Sequence, residues 1–203
     1  MATTIQAPAP ASEAGTKGAQ TRAAILERAV DLASVEGLEG LTIGRLATEL
    51  EMSKSGLFAH FGSKQELQLA AVEAAARRFR TAVVDPALEA PEGGPRLRAL
   101  ADGYLTHVES GAYSGGCFWA ATSTEYDDRP GPVRDAIAGA LDAWLGGLEG
   151  QARIAGAGRP DRLAFELYAL VIGANSRYRM SGDRRVFDHA RESFERLLAE
   201  VPG

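Results

Sequence analysis

The chain has 203 residues, a length that allows it to bury a sizeable core. Its composition, 45% hydrophobic and 24% charged residues, is that of a globular protein rather than a disordered one. A net charge of −5 excludes the broad basic surface of an architectural DNA protein. Residues 17–80 hold nine Lys or Arg and eight Asp or Glu, however, so the acidity belongs to the rest of the chain. The single cysteine excludes an intrachain disulfide, and no apolar run approaches the roughly 18 residues that span a bilayer. We therefore expect a cytoplasmic globular protein without membrane contact.

Residues 1–16 are predicted to form a disordered N-terminal arm, because they are rich in Ala, Pro, Thr and Ser and lack the apolar segment of a signal peptide. Beyond this arm, helical periodicity dominates and strand signals are almost absent, which predicts an all-α fold. About nine helices are expected near residues 20–36, 43–50, 54–60, 64–84, 95–110, 116–126, 132–154, 161–180 and 184–199. We divide them into an N-terminal three-helix domain at 17–65 and a helical bundle at 66–203.

Residues 43–61 are predicted to form two short helices joined by Glu51, Met52 and Ser53. This spacing suits a helix-turn-helix, whose second helix enters the major groove of DNA. From spacing alone, a tight helical hairpin within a bundle is an equally good interpretation. Residues of cap-forming type precede three helices, with Thr42 before the second, Ser53 before the third and Ser63 before the fourth.

Three patterns in residues 21–67 agree with a known family at fixed spacing. They are T-R-x-x-I-L-x-x-A from residue 21, I-x-x-L-A from residue 43, and M-S-K-x-x-L-F-x-H-F-x-S-K-x-x-L from residue 52. This segment resembles the DNA-binding domain of the TetR family of transcriptional repressors. Residues 115–137 are similar to a C-terminal subtype of the same family. The resemblance implies a repressor that a small-molecule ligand releases from a palindromic double-stranded operator.

The resemblance also implies how individual residues meet DNA. Thr42, His60 and Lys64 correspond to residues of the family that contact phosphate. The base-facing positions at the start of the recognition helix are Lys54, Ser55 and Gly56.

Several positions depart from the family pattern, among them Ser55-Gly56, which replaces the commoner Gly-Thr. Phe58 stands where the family usually has Tyr, so the ring can still pack on a sugar or a thymine methyl group but no hydroxyl reaches phosphate. Gly44 stands where some members have a base-reading Arg, for which the adjacent Arg45 is a partial substitute. Glu51 replaces a favoured Gly in the turn, where a left-handed conformation costs a non-glycine residue about 1–2 kcal/mol.

The second half of the chain has no recognisable catalytic constellation. His107, His189 and Cys117 have no metal-ligand spacing, and no phosphate-binding loop is present, so we expect neither a metal nor a cofactor nor catalysis. Aromatic residues are concentrated here, and some could line a pocket for a small apolar or amphipathic ligand. The candidate lining residues are Tyr104, His107, Phe118, Trp119, Thr122, Phe165, Tyr168 and Asn175.

Residues 161–199 are predicted to form two helices that are apolar on more than one face. Such helices need two burial surfaces, and a second copy of the chain could supply one of them, which predicts a homodimer through this segment. A larger monomeric core is the alternative. For function, two alternatives to the ligand-responsive repressor stay open, namely a DNA-binding regulator without a ligand and an all-α enzyme.

Overall fold

The computed structural model describes residues 13–201, with side chains from residue 18 onward. This part of the chain folds into nine main helices without strands, which confirms the predicted all-α class. They are α1 (Glu13–Gly40), α2 (Ile43–Glu49), α3 (Lys54–Phe61), α4 (Lys64–Phe79), α5 (Gly94–Glu109), α6 (Phe118–Glu125), α7 (Pro132–Ile154), α8 (Pro160–Ser181) and α9 (Arg185–Ala199). Helix α4 is prolonged by a π-helical segment, Arg80–Val84, and one further α turn, Asp85–Ala87. No helix of the described residues is both long and apolar enough to span a membrane.

Helix α1 is longer than predicted at both ends. It begins at Glu13, so residues 13–16 of the predicted disordered arm are helical, while residues 1–12 lie outside the described part of the chain. Near its other end the helix is broken at Gly37, whose φ of 76° and ψ of 167° are not helical. We call residues 37–39 the α1 kink. Gly40 is followed almost at once by α2, so the kink sets the direction in which the chain enters the next helices.

Helices α2 and α3 form a compact hairpin against α1 and α4. Leu46, Ala47, Leu57 and Phe61 are buried on its inner side. A helix of eight residues such as α3 has little stability alone, so this burial is what holds it in place. The geometry is therefore that of a helix-turn-helix rather than of two long bundle helices.

The remaining helices form a bundle into which α4 extends from the hairpin. Helix α4 packs against α1 at one end and α7 along its side, and α6 packs against both α1 and α7. Helices α7, α8 and α9 pack successively against one another, and α5 fills the space between α7 and α9. Helices α4 and α6 thus both connect the hairpin region with the bundle.

Candidate DNA-binding surface and ligand cavity

The three cap residues predicted from the sequence each close a helix N-terminus at the hairpin. Thr42 Oγ1 accepts a hydrogen bond from the Arg45 amide at 3.0 Å. Ser53 Oγ accepts one from the Gly56 amide, and Ser63 Oγ one from the Glu66 amide, both at 3.1 Å. Each cap satisfies one backbone donor and leaves other amides of its first turn outward, where they can meet an anion.

The predicted base-reading residues lie at the exposed start of α3. Lys54 and Ser55 are exposed and Gly56 is half-buried. The Lys54 side chain crosses to α2, where its Cε is 3.5 Å from the position that a Cβ on Gly44 would occupy. A side chain at position 44 would thus be in contact with Lys54, and the glycine that replaces a family arginine leaves this side of the lysine open. Within residues 13–201, Lys54 has no ion-pair partner.

Two of the other predicted cations are already paired with carboxylates. Arg45 Nη2 lies 2.7 Å from Glu36 and Nη1 lies 2.8 Å from Glu49. Lys64 Nζ lies 2.9 Å from Glu39 Oε2. These pairs are solvent-accessible, so each contributes little to stability and phosphate can replace the carboxylate. A phosphate contact from Arg45 or Lys64 therefore requires an exchange of partners, whereas one from Lys54 does not.

Phe58 and His60 complete the predicted surface. Phe58 is 55% exposed although it is a large apolar residue, and the half-buried His60 has its ring centroid 6.2 Å from that of Phe61. An exposed phenylalanine on the outward face of a recognition helix is the arrangement expected for packing on a sugar or a thymine methyl group.

Glu51 has the strained backbone predicted from the sequence. Its φ is 53°, and among residues 13–201 it is the one non-glycine residue with a positive φ. The turn between α2 and α3 therefore needs the left-handed conformation whichever residue occupies it.

A cavity of about 350 Å³ lies in the bundle between α4, α5, α6 and α7. Its inner wall contains the buried side chains of Phe79, Tyr104 and Trp119, and Trp144 stands edge-on to Phe79 and Tyr104 at ring-centroid distances of 4.9 and 5.3 Å. Its outer rim contains Arg80, Val84, Leu88, Arg96, Ala143, Gly147 and Gln151. The volume falls in the range of small-molecule sites, and a wall that is mostly apolar with few polar groups is typical of them.

Of the eight residues predicted to bind a ligand, all of which are described, Tyr104 and Trp119 line this cavity and the other six do not. Four of the six are buried in the core: His107, Phe118, Thr122 and Asn175. Thr122 Oγ1 donates to the Phe118 carbonyl and Asn175 Oδ1 accepts from the Cys117 amide, whereas the buried His107 Nε2 has no hydrogen-bond partner among the described residues.

The last two of the six lie on α8. Tyr168 is half-buried against the core, whereas Phe165 is 63% exposed on the outer face of the helix. The cavity residues that the sequence analysis missed are mainly on α4 and α7, where Phe79 and Trp144 were the available aromatic signals.

His107 lies beside the cavity wall and packs against its aromatic rings. The His107 ring is perpendicular to that of Phe79 at 5.8 Å, and Tyr113 stands 5.4 Å away on its other side. Burial, with a smaller effect from the charge of Arg78, lowers the pKa of His107 to about 4. The side chain is therefore neutral at physiological pH and acts as a core residue.

The α1 kink is held by residues from the bundle. Glu125, the last residue of α6, accepts hydrogen bonds from the amides of Leu38 at 2.7 Å and Glu39 at 3.0 Å. From α4, Gln68 Nε2 donates to the Leu38 carbonyl at 2.7 Å. A Cβ on Gly37 would lie 2.5 Å from Glu125 Oε1, so the glycine is required both for its φ and for this close approach.

Glu39 links the kink to the predicted DNA contact. Its carboxylate accepts hydrogen bonds from Lys64 Nζ at 2.9 Å and Tyr126 Oη at 2.8 Å. These two donors, the lysine first, hold the pKa of Glu39 at about 2, well below its ordinary value. Residues 125 and 126 at the end of α6 thus fix both the kink and the carboxylate that holds Lys64.

Two family profiles match the chain. The profile described as "Bacterial regulatory proteins, tetR family" matches residues 25–71, and the one described as "Tetracyclin repressor-like, C-terminal domain" matches residues 93–194, which is half of the chain. The chain belongs to the TetR family of transcriptional regulators. The first match contains the helix-turn-helix and the second contains α5–α8 and most of α9, so membership of the TetR family rests on both halves of the fold.

Solved structures that share this fold include TetR-family regulators and AibR. A regulator from Chloroflexus aurantiacus has a TM-score of 0.79 and 25% identity over 91% of this chain and 95% of its own. One from Cytophaga hutchinsonii has a TM-score of 0.78 and 22% identity, covering 92% and 96%. AibR, solved in complex with isovaleryl coenzyme A and operator DNA, has a TM-score of 0.72 and 22% identity, covering 89% and 99%. No curated protein matches the chain significantly in sequence.

Proposed function

We propose that this TetR-family regulator is a homodimeric, cytoplasmic repressor that binds a palindromic operator and is released from it by a small apolar or amphipathic ligand. In this proposal residues 17–65 are the DNA-binding domain, and residues 66–203 bind the ligand and form the dimer. The predicted DNA contacts are Thr42, Arg45, Lys54, Ser55, Gly56, Phe58, His60 and Lys64. The observation that carries the proposal is the capped, outward-facing α3 helix, which begins with Lys54, a lysine that has no ion-pair partner among the described side chains.

The outer face of α8 supports the dimer. Phe165 and Met180 on this helix are 63% and 83% exposed, and Ala169 and Gly173 between them are also exposed. Their spacing places all four on one side of the helix, opposite the buried Leu167. Exposed apolar stripes of this kind mark contact surfaces, and a stable interface would bury more than about 1,000 Å².

The two ends of α6 support a response to ligand. At its start, Trp119 forms part of the cavity wall. At its end, Glu125 holds the α1 kink, and Tyr126 just beyond it holds the Glu39 carboxylate that pairs with Lys64. A ligand that binds better when α6 is displaced would therefore also bias the position of the helix-turn-helix. AibR, whose structure contains both an acyl-coenzyme A and operator DNA, is a relative in which both kinds of site are occupied.

Selection of bound duplexes from a random library tests DNA recognition. We expect enrichment of one palindromic sequence by the wild-type chain, and loss of binding to it in the Lys54→Ala, Lys64→Ala double variant. Arg153→Ala is the matched control, because this exposed arginine lies in the last turn of α7 and pairs with Glu149 of the same helix. Failure to enrich any duplex, or equal binding by the double variant, would refute the assignment of the surface.

A DNA-binding regulator without a ligand is the second candidate, and an all-α enzyme is a third that no constellation of the described residues favours. Cavity-filling variants distinguish the first two. Gly147 lines the cavity and Gly150 does not, yet neither would bring a new Cβ within 4 Å of another residue. If a small-molecule cell extract releases DNA from the wild type and from Gly150→Leu but not from Gly147→Leu, the cavity is the sensing site. Release from none of the three would favour the regulator without a ligand, whereas release from all three would mean that the ligand binds outside this cavity.

A further inference from the structure

We infer that the cavity between α4, α5, α6 and α7 selects an amphipathic anion, whose apolar or aromatic body lies among the inner aromatic rings and whose carboxylate or similar group lies at Arg80. This inference rests on the proposed ligand-sensing function and narrows it to one chemical class. It follows from the charge, the free donors and the shape of the wall.

The charge of the wall has one sign. The described residues that line the cavity include two arginines, Arg80 and Arg96, and no aspartate or glutamate. Each arginine has a carboxylate partner just outside the wall, Asp85 for Arg80 and Glu92 for Arg96, but the wall itself offers a cation no carboxylate and offers an anion guanidinium donors. A neutral ligand gains the apolar contacts and uncharged hydrogen bonds to groups such as Gln151.

The two arginines differ in the donors that they have to offer. Arg96 is committed to the neighbouring loop, because its nitrogens lie 3.0 Å from the Ala90 carbonyl, 3.3 Å from the Leu88 carbonyl and 3.1 Å from Glu92. Arg80 has one ion-pair partner among the described residues, Asp85, which contacts Nε at 3.1 Å. Its two terminal nitrogens have no described partner. Arg80 is thus the residue that can form a paired hydrogen bond with an arriving carboxylate.

The position of Arg80 fits this role. It follows Phe79 directly at the start of the π-helical segment, so the buried aromatic wall and the cation are adjacent in the chain. The Arg80 side chain is 67% exposed, which places the guanidinium at the mouth rather than in the interior. An anionic group bound there stays partly hydrated while the attached body enters the cavity, and neither part is buried without partners.

Three probes of nearly identical shape test the inference: 2-naphthoate, 2-naphthamide and 2-naphthamidine, which are an anion, a neutral molecule and a cation. Isothermal titration calorimetry with the full-length protein gives the Kd of each. We expect 2-naphthoate to bind about five-fold more tightly than 2-naphthamide, as one charge-assisted contact with a largely exposed arginine allows, and 2-naphthamidine to bind most weakly. Gly147→Leu should abolish binding of all three, whereas Gly150→Leu should not.

The Arg80→Gln variant isolates the proposed anion contact. It should reduce the preference for 2-naphthoate over 2-naphthamide to less than about two-fold and leave the Kd of 2-naphthamide nearly unchanged, because the charge-assisted contact is removed. Arg77→Gln is the matched control, because Arg77 is exposed on the same helix, is paired with Glu73, and does not line this cavity. This control should keep the full preference.

Three results would overturn the inference: equal or tighter binding of the amide or the amidine, an unchanged preference in Arg80→Gln, or no binding of any probe. These outcomes are separate from a failure of the proposed function. Duplex selection and release by a cell extract can succeed while the preference for an anion fails, and the reverse is also possible.

Discussion

The contact between Glu125 and the α1 kink is the most specific link between bundle and helix-turn-helix, and Glu125→Ala removes it. The change leaves the amides of Leu38 and Glu39 without the carboxylate that they share. The helix is interrupted at Gly37, so no regular helical acceptor takes over for these donors.

The expected cost follows from the burial of the two donors. Leu38 is fully buried, so its amide bears the penalty of an unsatisfied buried donor, which is about 1–3 kcal/mol. The Glu39 amide is exposed enough to be hydrated and adds less, giving about 2–3 kcal/mol in all. For a chain of this size each kcal/mol of lost stability lowers Tm by about 2–4 °C, so Tm should fall by about 4–12 °C.

Thermal and urea unfolding of the wild type, Glu125→Ala and a control measure this cost. The control is Glu73→Ala, which removes an exposed glutamate that lies 3.7 Å from Arg77 one turn along the same helix, a pair worth about 0.5 kcal/mol or less. If the free energy of unfolding of Glu125→Ala lies within about 0.5 kcal/mol of that of this control, the reasoning is refuted, because the kink would then not depend on the Glu125 carboxylate. The variant should also bind 2-naphthoate normally while losing part of any ligand effect on DNA affinity.

Three further predictions concern single residues. Lys64→Ala should weaken binding to all duplexes about equally, and it should lower the slope of log K against log salt by about one for each phosphate group that the lysine no longer neutralises. A changed sequence preference with an unchanged slope would contradict the assignment of Lys64 to phosphate. Glu51→Gly should raise the free energy of unfolding by about 1 kcal/mol, because glycine adopts the positive φ without strain, and DNA binding should be equal or tighter. Weaker DNA binding would reveal a specific role for the Glu51 carboxylate. The folded-state pKa of His107 is about 4, below its ordinary value of 6.5, so between these two pH values the unfolded chain binds a proton that the folded chain does not. The contribution of His107 to stability should therefore be complete above pH 6.5 and fall towards pH 4. His107→Phe should remove this part of the pH dependence of the free energy of unfolding, measured by urea unfolding.

The helix-turn-helix could be predicted from the sequence because its determinants are local. A serine or threonine before a helix places its oxygen at the amide three residues on, so Thr42, Ser53 and Ser63 were identifiable as caps without knowledge of the tertiary structure. The left-handed turn at Glu51 was expected from the resemblance, because the family favours Gly at this position, and its φ of 53° agrees.

The cavity could not be predicted in the same way, because its wall depends on how helices are rotated against one another. Phe118 and Trp119 are adjacent in sequence, yet Phe118 is buried in the core and Trp119 lines the cavity. Phe165 counted as a pocket candidate because it is aromatic, but its position along α8 places it on the outer face.

The ion pairs of the helix-turn-helix are equally non-local. Lys64 and Glu39 are 25 residues apart and meet because α4 crosses the end of α1. The sequence indicated that Lys64 could contact phosphate, but only the structure indicates that a carboxylate must first be displaced.

Sedimentation velocity of the protein with its selected duplex tests the central claim, a two-headed repressor, most directly. We expect two chains on each duplex, with half-sites about 34–36 Å apart or a multiple of that spacing. Phe165→Glu should give monomers that no longer hold the duplex at physiological salt, because a charge then interrupts the exposed apolar face of α8 while the core is intact. A wild-type chain that sediments as a 21.4 kDa monomer and still binds a single palindromic site tightly would contradict the two-headed mechanism.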